Sequence, residues 1–394
     1  MIMITTKMEK HNIMKKLAII GASYLQEPLI ERAKELGYET HVFAWAANDV
    51  GEKSADSFYP ISIVEKDEIL NTCRNIGICG ICTIASDLAA VTVNYVANKM
   101  GLPGNTEEAS LLASNKYYMR KAFFEGNCPS PKSIRVSGME DLKDVQLTYP
   151  VIVKPLDRSG SRGITKLQSS DGLEQAITDA KDQGFEKYAL VEEFATGDEY
   201  SVECISYHGE HHFLAMTKKY TTGAPHFIET GHIEPSGVSD AVLEQVKEVV
   251  FHALDTLKIT DSASHTELKI SKDGDIKLIE IGGRMGGDYI GSDLVRISTG
   301  VDFVRAVIQV AVGEAPDLSI VQQPEIAAVR FVLNHEDKDI LEKLEKAHPE
   351  YIVLKDIHEG DAQVTDSSTR MGVCLMHAKS VEDLMPYLPI QMEE

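Results

Sequence analysis

The pattern of apolar and polar residues predicts strands and helices that alternate through the first hundred residues. Apolar runs at 17–21 and 39–45 indicate buried strands, and the segment between them has the periodicity of a helix. A strand at 76–85 and a helix at 88–100 continue the alternation. Strands that alternate with helices are typical of βαβ units, so we predict a doubly wound α/β unit at 14–112.

The pattern changes after residue 112 and predicts a mixed α+β region. Helices are predicted at 114–125, 173–183, 238–257 and 302–312, and strands at 151–155, 188–194, 200–206, 265–270 and 276–281. The polar residues 229–232 are assigned to a loop. We predict a central unit at 113–314 and a small C-terminal α+β unit at 315–394. The short, charged segment 1–13 is interpreted as a disordered leader.

Composition limits the classes of function. With 394 residues, 43% of them hydrophobic and 25% charged, the chain resembles a globular protein with two or three cores. Its net charge of −22 argues against a nucleic-acid-binding surface, which is normally basic. No apolar run reaches the roughly 18 residues that a membrane span needs. The six cysteines fit a reducing, cytoplasmic compartment, and we interpret Cys79 and Cys82, although spaced as C-x-x-C, as positions in a buried strand.

Two carboxylates in strand-like runs provide the strongest chemical signal. Glu280 interrupts the apolar run 278–281, where an acid is costly unless it is paired or bound to a metal. Glu267 lies upstream in a second run, and Arg284 follows Glu280 between two glycine pairs. Magnesium often binds one or two carboxylates together with phosphates, so these residues predict a magnesium–phosphate site. Salt bridges from Glu267 to Lys269 or from Glu280 to Arg284 are the alternative.

A second set of residues has the character of a nucleotide site. Lys154 ends a strand and precedes a loop of small residues, whose backbone N–H groups can approach phosphate oxygens, unless the loop is a plain glycine hairpin. Lys116, which opens a helix, can reach a phosphate, although for this residue alone a solvated lysine is favoured. The pair 218–219 can face phosphates or form a charged strand end equally well. The strand at 192–194 can offer backbone groups to a flat base, and Glu199 can accept ribose hydroxyls. A surface hairpin is the alternative for that segment.

Together, these features resemble the ATP-grasp superfamily of carboxylate–amine ligases. The order of the motifs along residues 14–313 carries the resemblance, since each motif alone is modest. That order is Lys116, Lys154 with the loop at 159–163, the hinge at 192–194, Glu199, Glu267, Glu280 and Arg284. The resemblance implies an ATP-grasp fold. In it 14–112 would be Rossmann-like, 113–314 the ATP-grasp domain with a mobile lid at about 130–190, and 315–394 the C-terminal domain.

The resemblance also implies a role for each residue. Lys116 and Lys154 would bind the phosphates of ATP and act in catalysis, as would Arg284, at the transferred phosphoryl group or the substrate carboxylate. Glu267 and Glu280 would hold Mg²⁺, with Mn²⁺ as an alternative. The other contacts to ATP would come from the loop residues Ser159, Gly160, Ser161 and Gly163, from Glu192 and Phe194 at the adenine, and from Glu199 at the ribose.

Gly282 departs from the superfamily pattern and indicates one branch. Many members have Asn there as a metal ligand, and bacterial L-amino-acid ligases, which make dipeptides, are similar to this chain because small residues can replace that Asn. They also resemble its H-T-E-x-K stretch at 265–269 and its E-x-x-H stretch at 229–232. By that resemblance the substrate side would include Glu229, His232, Arg284, Gly287 and Asp87. Asp87 is shorter than the acid that the branch tends to have there.

The implied reaction joins a carboxylate, here that of an amino acid, to an amine through an acyl phosphate, with release of ADP and phosphate. Its partners would be small molecules rather than nucleic acid or a membrane, and dimers are common among similar enzymes. The alternatives are an ATP-grasp carboxylase or purine-pathway ligase, and a nucleotide-binding regulator without catalysis. A dehydrogenase is disfavoured because the turn after the first strand lacks G-x-G-x-x-G.

Overall fold

The computed structural model describes residues 14–158, 163–224, 227–358 and 364–390. The leader at 1–13 and the loop residues Ser159, Gly160 and Ser161 lie outside the described residues. The strands are β1 (Lys16–Ile20), β2 (Glu39–Phe43), β3 (Ser57–Tyr59), β4 (Gly80–Cys82), β5 (Ser133–Val136), β6 (Val151–Pro155), β7 (Thr165–Leu167), β8 (Ala189–Glu193), β9 (Asp198–Tyr207), β10 (Glu210–Thr221), β11 (Glu229–Glu234), β12 (Ser262–Ile270), β13 (Ile276–Gly282), β14 (Ile326–Val332), β15 (Ile352–Ile357) and β16 (Gly372–Ala378). The α-helices are α1 (Glu27–Glu35), α2 (Val50–Ser54), α3 (Lys66–Ile76), α4 (Asp87–Met100), α5 (Glu107–Ser114), α6 (Lys116–Glu125), α7 (Leu173–Gln183), α8 (Asp240–Thr256), α9 (Val295–Thr299), α10 (Phe303–Ala311), α11 (His335–Ala347) and α12 (Val381–Leu384).

The N-terminal unit contains the parallel sheet that the sequence predicted. Its strand order is β3-β2-β1-β4, and each neighbouring pair is parallel. The carboxyl ends of parallel strands meet at one edge of a sheet, which is where ligands bind in open α/β folds. Asp87 begins α4 at this edge, with Ser86 as the N-cap. The strand predicted at 76–85 is shorter, because α3 continues to Ile76.

An eight-stranded antiparallel sheet forms the centre of the molecule. Its order is β13-β12-β9-β10-β11-β14-β16-β15, so the C-terminal strands extend the central sheet rather than forming a sheet of their own. The amphipathic helix α8 packs on it through Val246, Val250 and Leu254, which are fully buried. The loop predicted at 229–232 is wrong, because these residues lie in β11, between β10 and β14. Pairing on both sides buries polar side chains that the sequence pattern assigns to a surface.

A third sheet, with the order β5-β8-β6-β7, carries helix α7 and a core of its own. Helix α7 has the predicted bounds. The helix predicted at 114–125 is α6, which begins two residues later because the Asn115 side chain accepts hydrogen bonds from the backbone of Tyr117 and Tyr118 and caps it. The preceding helix α5, which ends at Ser114, was not predicted. Among the described residues, no helix combines the length and apolar character required to cross a bilayer.

Candidate active site

A cleft that is open to solvent lies between the third sheet and the central sheet. Among the residues that line it are the predicted site residues Asp87, Lys116, Lys154, Glu192, Phe194, Glu199, Glu229, Glu267, Glu280 and Arg284. His232, Gly163 and Gly287 are described but are not among the lining residues. The cleft therefore brings together positions that are up to about two hundred residues apart in the sequence.

Lys154 projects from β6 into a buried ion pair with Glu192 of the neighbouring strand β8. The exposed fraction of each side chain is 5% or less. Burial lowers the pKa of Lys154, and the charge of Glu192 opposes that effect. Arg120 donates to Glu192 from the other side, with Nε 3.0 Å from Oε2. The Glu192 carboxylate, predicted to lie at the adenine, is thus engaged by Lys154 and Arg120, an arginine that the sequence analysis missed.

Lys116 reaches Glu280, one of the two predicted metal ligands, rather than solvent. Its Nζ donates to Glu280 Oε1 at 2.8 Å and to the carbonyl oxygen of Arg158 at 2.8 Å. Arg120 lies one helical turn further along α6, so Lys116 and Arg120 share a face of the helix. That spacing was the available signal for Arg120. Helix α6 therefore delivers one cation to Glu280 and another to the Lys154–Glu192 pair.

Glu267 and Glu280 face each other across two strands, as expected from the sequence. They are a cross-strand pair of β12 and β13, and their side chains are 28% and 24% exposed. Lys219 Nζ lies 2.7 Å from Glu267 Oε1, and His265 Nε2 lies 3.5 Å from the same oxygen. The partners of the two acids therefore come from β10, from α6 and from β12 itself, in place of the suggested bridge from Glu280 to Arg284. Burial alone would raise the pKa of Glu267, but Lys219 and His265 hold it well below its usual range.

These two carboxylates fit a divalent metal ion. They are hard oxygen donors on one surface of the cleft, beside cations suited to phosphates, which is how Mg²⁺ is usually bound. Within the described ranges, no group of three or more His, Cys, Asp or Glu residues could hold a metal ion. Phosphate oxygens or water would therefore have to supply the other ligands.

Lys219 is surrounded by acids at the centre of the cleft. Besides Glu267, its Nζ lies 3.1 Å from Glu199 Oε1 and 3.6 Å from Glu229 Oε1, and its side chain is only 3% exposed. Burial by itself lowers the pKa of this ammonium, but the three carboxylates raise it well above its usual value. Of the two alternatives for this lysine, a phosphate-facing position inside the cleft agrees with its burial better than a solvated strand end.

Asp87 and Arg284 form a bidentate ion pair between the N-terminal sheet and the central sheet. Arg284 donates to Asp87 through Nε at 2.8 Å and through Nη2 at 2.9 Å. Burial alone would raise the pKa of Asp87, but the guanidinium lowers it. A Cβ atom on Gly282 would collide with Asp87 Oδ1. Gly282 is therefore small because the ion pair occupies the space that an Asn side chain would need.

Aromatic residues form the opposite end of the cleft. Lys166 Nζ lies 3.5 Å from the ring centroid of Phe194, and Lys269 Nζ lies 5.0 Å from it. The ring of Phe227 is 6.2 Å from Phe194. A flat, apolar base can pack on such rings. Glu199 also lines the cleft, where its carboxylate can accept hydrogen bonds from a sugar.

His232 lies within the sheet rather than at the cleft surface. It is 1% exposed, and its ring contacts Phe331 edge-on with centroids 5.5 Å apart. Burial lowers its pKa to about 3, so the imidazole is neutral. Glu229, three residues earlier on β11, does line the cleft and also pairs with Arg370 of the C-terminal segment at 2.7 Å. No sequence motif singled out Arg370.

Comparisons with known proteins identify the domain that contains most of the cleft. Residues 147–293 match the ATP-grasp domain model. Alanine–anticapsin ligase of Bacillus subtilis is 28% identical over 261 residues, which cover 60% of this chain and 55% of that protein. Carnosine synthase 1 of Mus musculus is 25% identical over 338 residues, covering 77% of this chain and 40% of that protein. The chain thus spans about half the length of the curated relatives that it matches.

The solved structure of L-amino acid ligase from Bacillus licheniformis shares the fold, with a TM-score of 0.79 at 23% identity over 94% of each chain. Phosphoribosylglycinamide synthetase from Anaerococcus prevotii has a TM-score of 0.74 at 22% identity, over 94% of this chain and 95% of that one. At such identities the likeness concerns the fold. The domain match confirms the resemblance stated above for residues 147–293, which match an ATP-grasp domain, and the solved structures show that the chain shares their fold over most of its length.

Proposed function

We propose that the protein is an ATP- and Mg²⁺-dependent ligase that joins the carboxylate of an amino acid to an amine. The observation that carries the proposal is the convergence of Lys116, Lys154, Arg284 and the pair Glu267 and Glu280 on one cleft. Cations for phosphates, ligands for a metal and a clamp for an anion are what phosphoryl transfer to a carboxylate requires. The relatives whose names describe ligases of alanine and of other amino acids support the amino-acid substrate.

In the first step, a carboxylate oxygen attacks the γ-phosphorus of ATP. The bond from that phosphorus to the β–γ bridging oxygen breaks, ADP leaves and an acyl phosphate remains. Such a transfer needs positioning and charge neutralisation rather than a covalent intermediate with the protein. Lys116 and Lys154 would neutralise the phosphates, and Arg284, held by Asp87, would orient the carboxylate or the transferred group. Mg²⁺, held by Glu267 and Glu280, supplies further neutralisation of the phosphates when bound.

In the second step, the nitrogen of a neutral amine attacks the acyl carbon. The bond from that carbon to the phosphate oxygen breaks, phosphate leaves, and the nitrogen releases a proton to give the amide. The acyl phosphate must be protected from water in the meantime. The third sheet, which covers the cleft and carries Lys154, is the element suited to this task as a closing lid.

The proposal is tested by measuring ADP and phosphate release with pairs of amino acids and small acids, followed by mass analysis of the products. We expect release that requires ATP, Mg²⁺ and both substrates, and an amide product. A Glu280→Gln variant serves as the inactive control. Strict dependence on bicarbonate or on a ribonucleotide acceptor would favour a carboxylase or a purine-pathway ligase. Nucleotide binding without phosphate release across the panel would favour a regulator.

We also propose a cytoplasmic homodimer that acts on small molecules. The six cysteines are free thiols, five of them buried, as expected in a reducing compartment. Burial raises the pKa of Cys82 to about 12, which keeps this thiol protonated and unreactive. Light scattering after size-exclusion chromatography measures the number of chains per particle, and a mass equal to one chain would contradict the dimer.

A further inference from the structure

One arginine from the C-terminal unit contacts Glu229, a lining residue of the cleft, from behind the cleft surface. The side chain of Arg370, just before β16, is 6% exposed. Its Nη2 donates to Glu229 Oε2 at 2.7 Å, and its Nη1 donates to Asp288 Oδ2 at 2.7 Å. One guanidinium therefore joins strand β11, the turn that follows Arg284, and the C-terminal segment.

The surroundings of Arg370 hold it in this position. Its Cζ lies 3.7 Å from the ring centroid of Phe331 on β14, within the range of a cation–π contact. Asp288 and Tyr289 are consecutive residues with φ of +50° and +66°. Residues other than glycine rarely adopt this backbone conformation. The conformation persists only where the surrounding structure enforces it, and such positions are typical of ligand sites. The ion pair with Arg370 is one such constraint on Asp288.

Glu229 is fixed from two sides. Arg370 donates a hydrogen bond to Glu229 Oε2, and Lys219 Nζ lies 3.6 Å from Glu229 Oε1 at the centre of the cleft. The Glu229 carboxylate thus contacts Lys219, which is suited to phosphates, on one side and the C-terminal unit on the other. The Nε atom of Arg370 is buried and has no hydrogen-bond partner among the residues that the structure describes. Lys219 also contacts Glu199 and Glu267, so four carboxylates surround the two cations Arg370 and Lys219 and leave a net negative charge.

We propose that Arg370 is a positioning residue that holds Glu229 and Asp288 in place to receive the positively charged ammonium group of an amino-acid substrate. The inference rests on the proposed function and adds the charge of the substrate and the residue that organises its subsite. A neutral amine or bicarbonate has no positive charge to match these acids. The C-terminal unit thereby takes part in substrate recognition as well as in the central sheet.

The test compares Arg370→Gln and Arg370→Lys with a matched control, Arg330→Gln. Arg330 is buried in the same unit and pairs with Asp337, with Nη2 2.6 Å from Oδ1, and it does not line the cleft. Each protein, saturated with Mg²⁺ and a non-hydrolysable ATP analogue, is titrated with each of the standard amino acids, and the rise in Tm gives an apparent affinity. For a substrate pair found by ADP release, KM and kcat are measured as well.

We expect Arg370→Gln to weaken amino-acid affinity and raise KM at least tenfold, with nucleotide affinity and kcat changed less than threefold. Arg370→Lys should recover part of the loss, because it keeps the charge but not the two-pronged geometry. Arg330→Gln should lower Tm and leave amino-acid affinity within twofold. Where Arg370→Gln does not fold, Asp288→Asn replaces it, with the same expected loss of affinity.

Equal affinities in the wild type and Arg370→Gln would overturn the inference, as would equal losses in the Arg370 and Arg330 variants, since these would indicate a merely structural role. A wild type that binds none of the amino acids would also overturn it. Amino-acid binding that depends on Arg370 but yields no ADP with any partner would instead overturn the proposed function and leave the inference standing.

Discussion

Replacing Glu234 with glutamine is expected to stabilise the protein at alkaline pH and to have little effect in mild acid. Glu234 is fully buried on β11, and the hydroxyls of Thr217 and Ser298 each donate to one of its oxygens at 2.5 Å. Burial raises the pKa of this carboxyl from 4.5 to about 7 in spite of those hydrogen bonds. One pKa unit corresponds to about 1.4 kcal/mol, so ionisation of Glu234 destabilises the folded state by about 3 kcal/mol.

The direction of the effect follows from proton binding. Between pH 4.5 and about pH 7 the folded state keeps a proton that the unfolded state has lost, so the free energy of unfolding falls as the pH rises. Above that window the penalty is constant. Glutamine can still hydrogen-bond to both hydroxyls but cannot ionise. Glu234→Gln should therefore match the wild type near the lower end of the window and exceed it by about 3 kcal/mol above the upper end.

Urea-induced unfolding followed by circular dichroism at both ends of this window measures the difference. The control is Glu210→Gln, because Glu210 begins the neighbouring strand β10 with a side chain that is 79% exposed. This control should follow the wild type at both pH values. A gap between Glu234→Gln and the wild type that is the same at both ends of the window, or wild-type stability that rises across it, would refute the reasoning.

Three further predictions concern the cleft. Glu280→Gln should lower ADP release about a hundredfold, because the carboxylate acts on charge in the transition state. Tm should be nearly unchanged, because the side chain is partly exposed. Release at the wild-type rate would contradict the assignment of Glu280 as a metal ligand. Gly282→Asn should lose activity without binding a second Mn²⁺ in electron paramagnetic resonance titrations, because the new side chain collides with Asp87. Two bound Mn²⁺ ions at full activity would contradict that account. Phe194→Ala should weaken ADP binding roughly tenfold, measured by calorimetry, because the base loses an aromatic surface. Unchanged binding would contradict the placement of the adenine at Phe194.

Prediction from the sequence succeeded where side-chain character matches element type. The apolar runs of β1 and β2 and the periodicity of α7 were sufficient to assign them. It failed at β10 and β11, whose residues Lys219 and Glu229 face a polar cleft, so alternation of apolar residues does not mark them as strands.

The sequence by itself determined that the chain has a parallel α/β unit and that two acids on neighbouring strands, Glu267 and Glu280, form a pair. Both follow from local periodicity, because adjacent strands joined by a short turn must pair. Only the tertiary structure decided which cations meet those acids, why position 282 has no side chain, and that Arg370 reaches Glu229. These contacts join segments up to about two hundred residues apart, and their strength depends on burial, which no local pattern encodes.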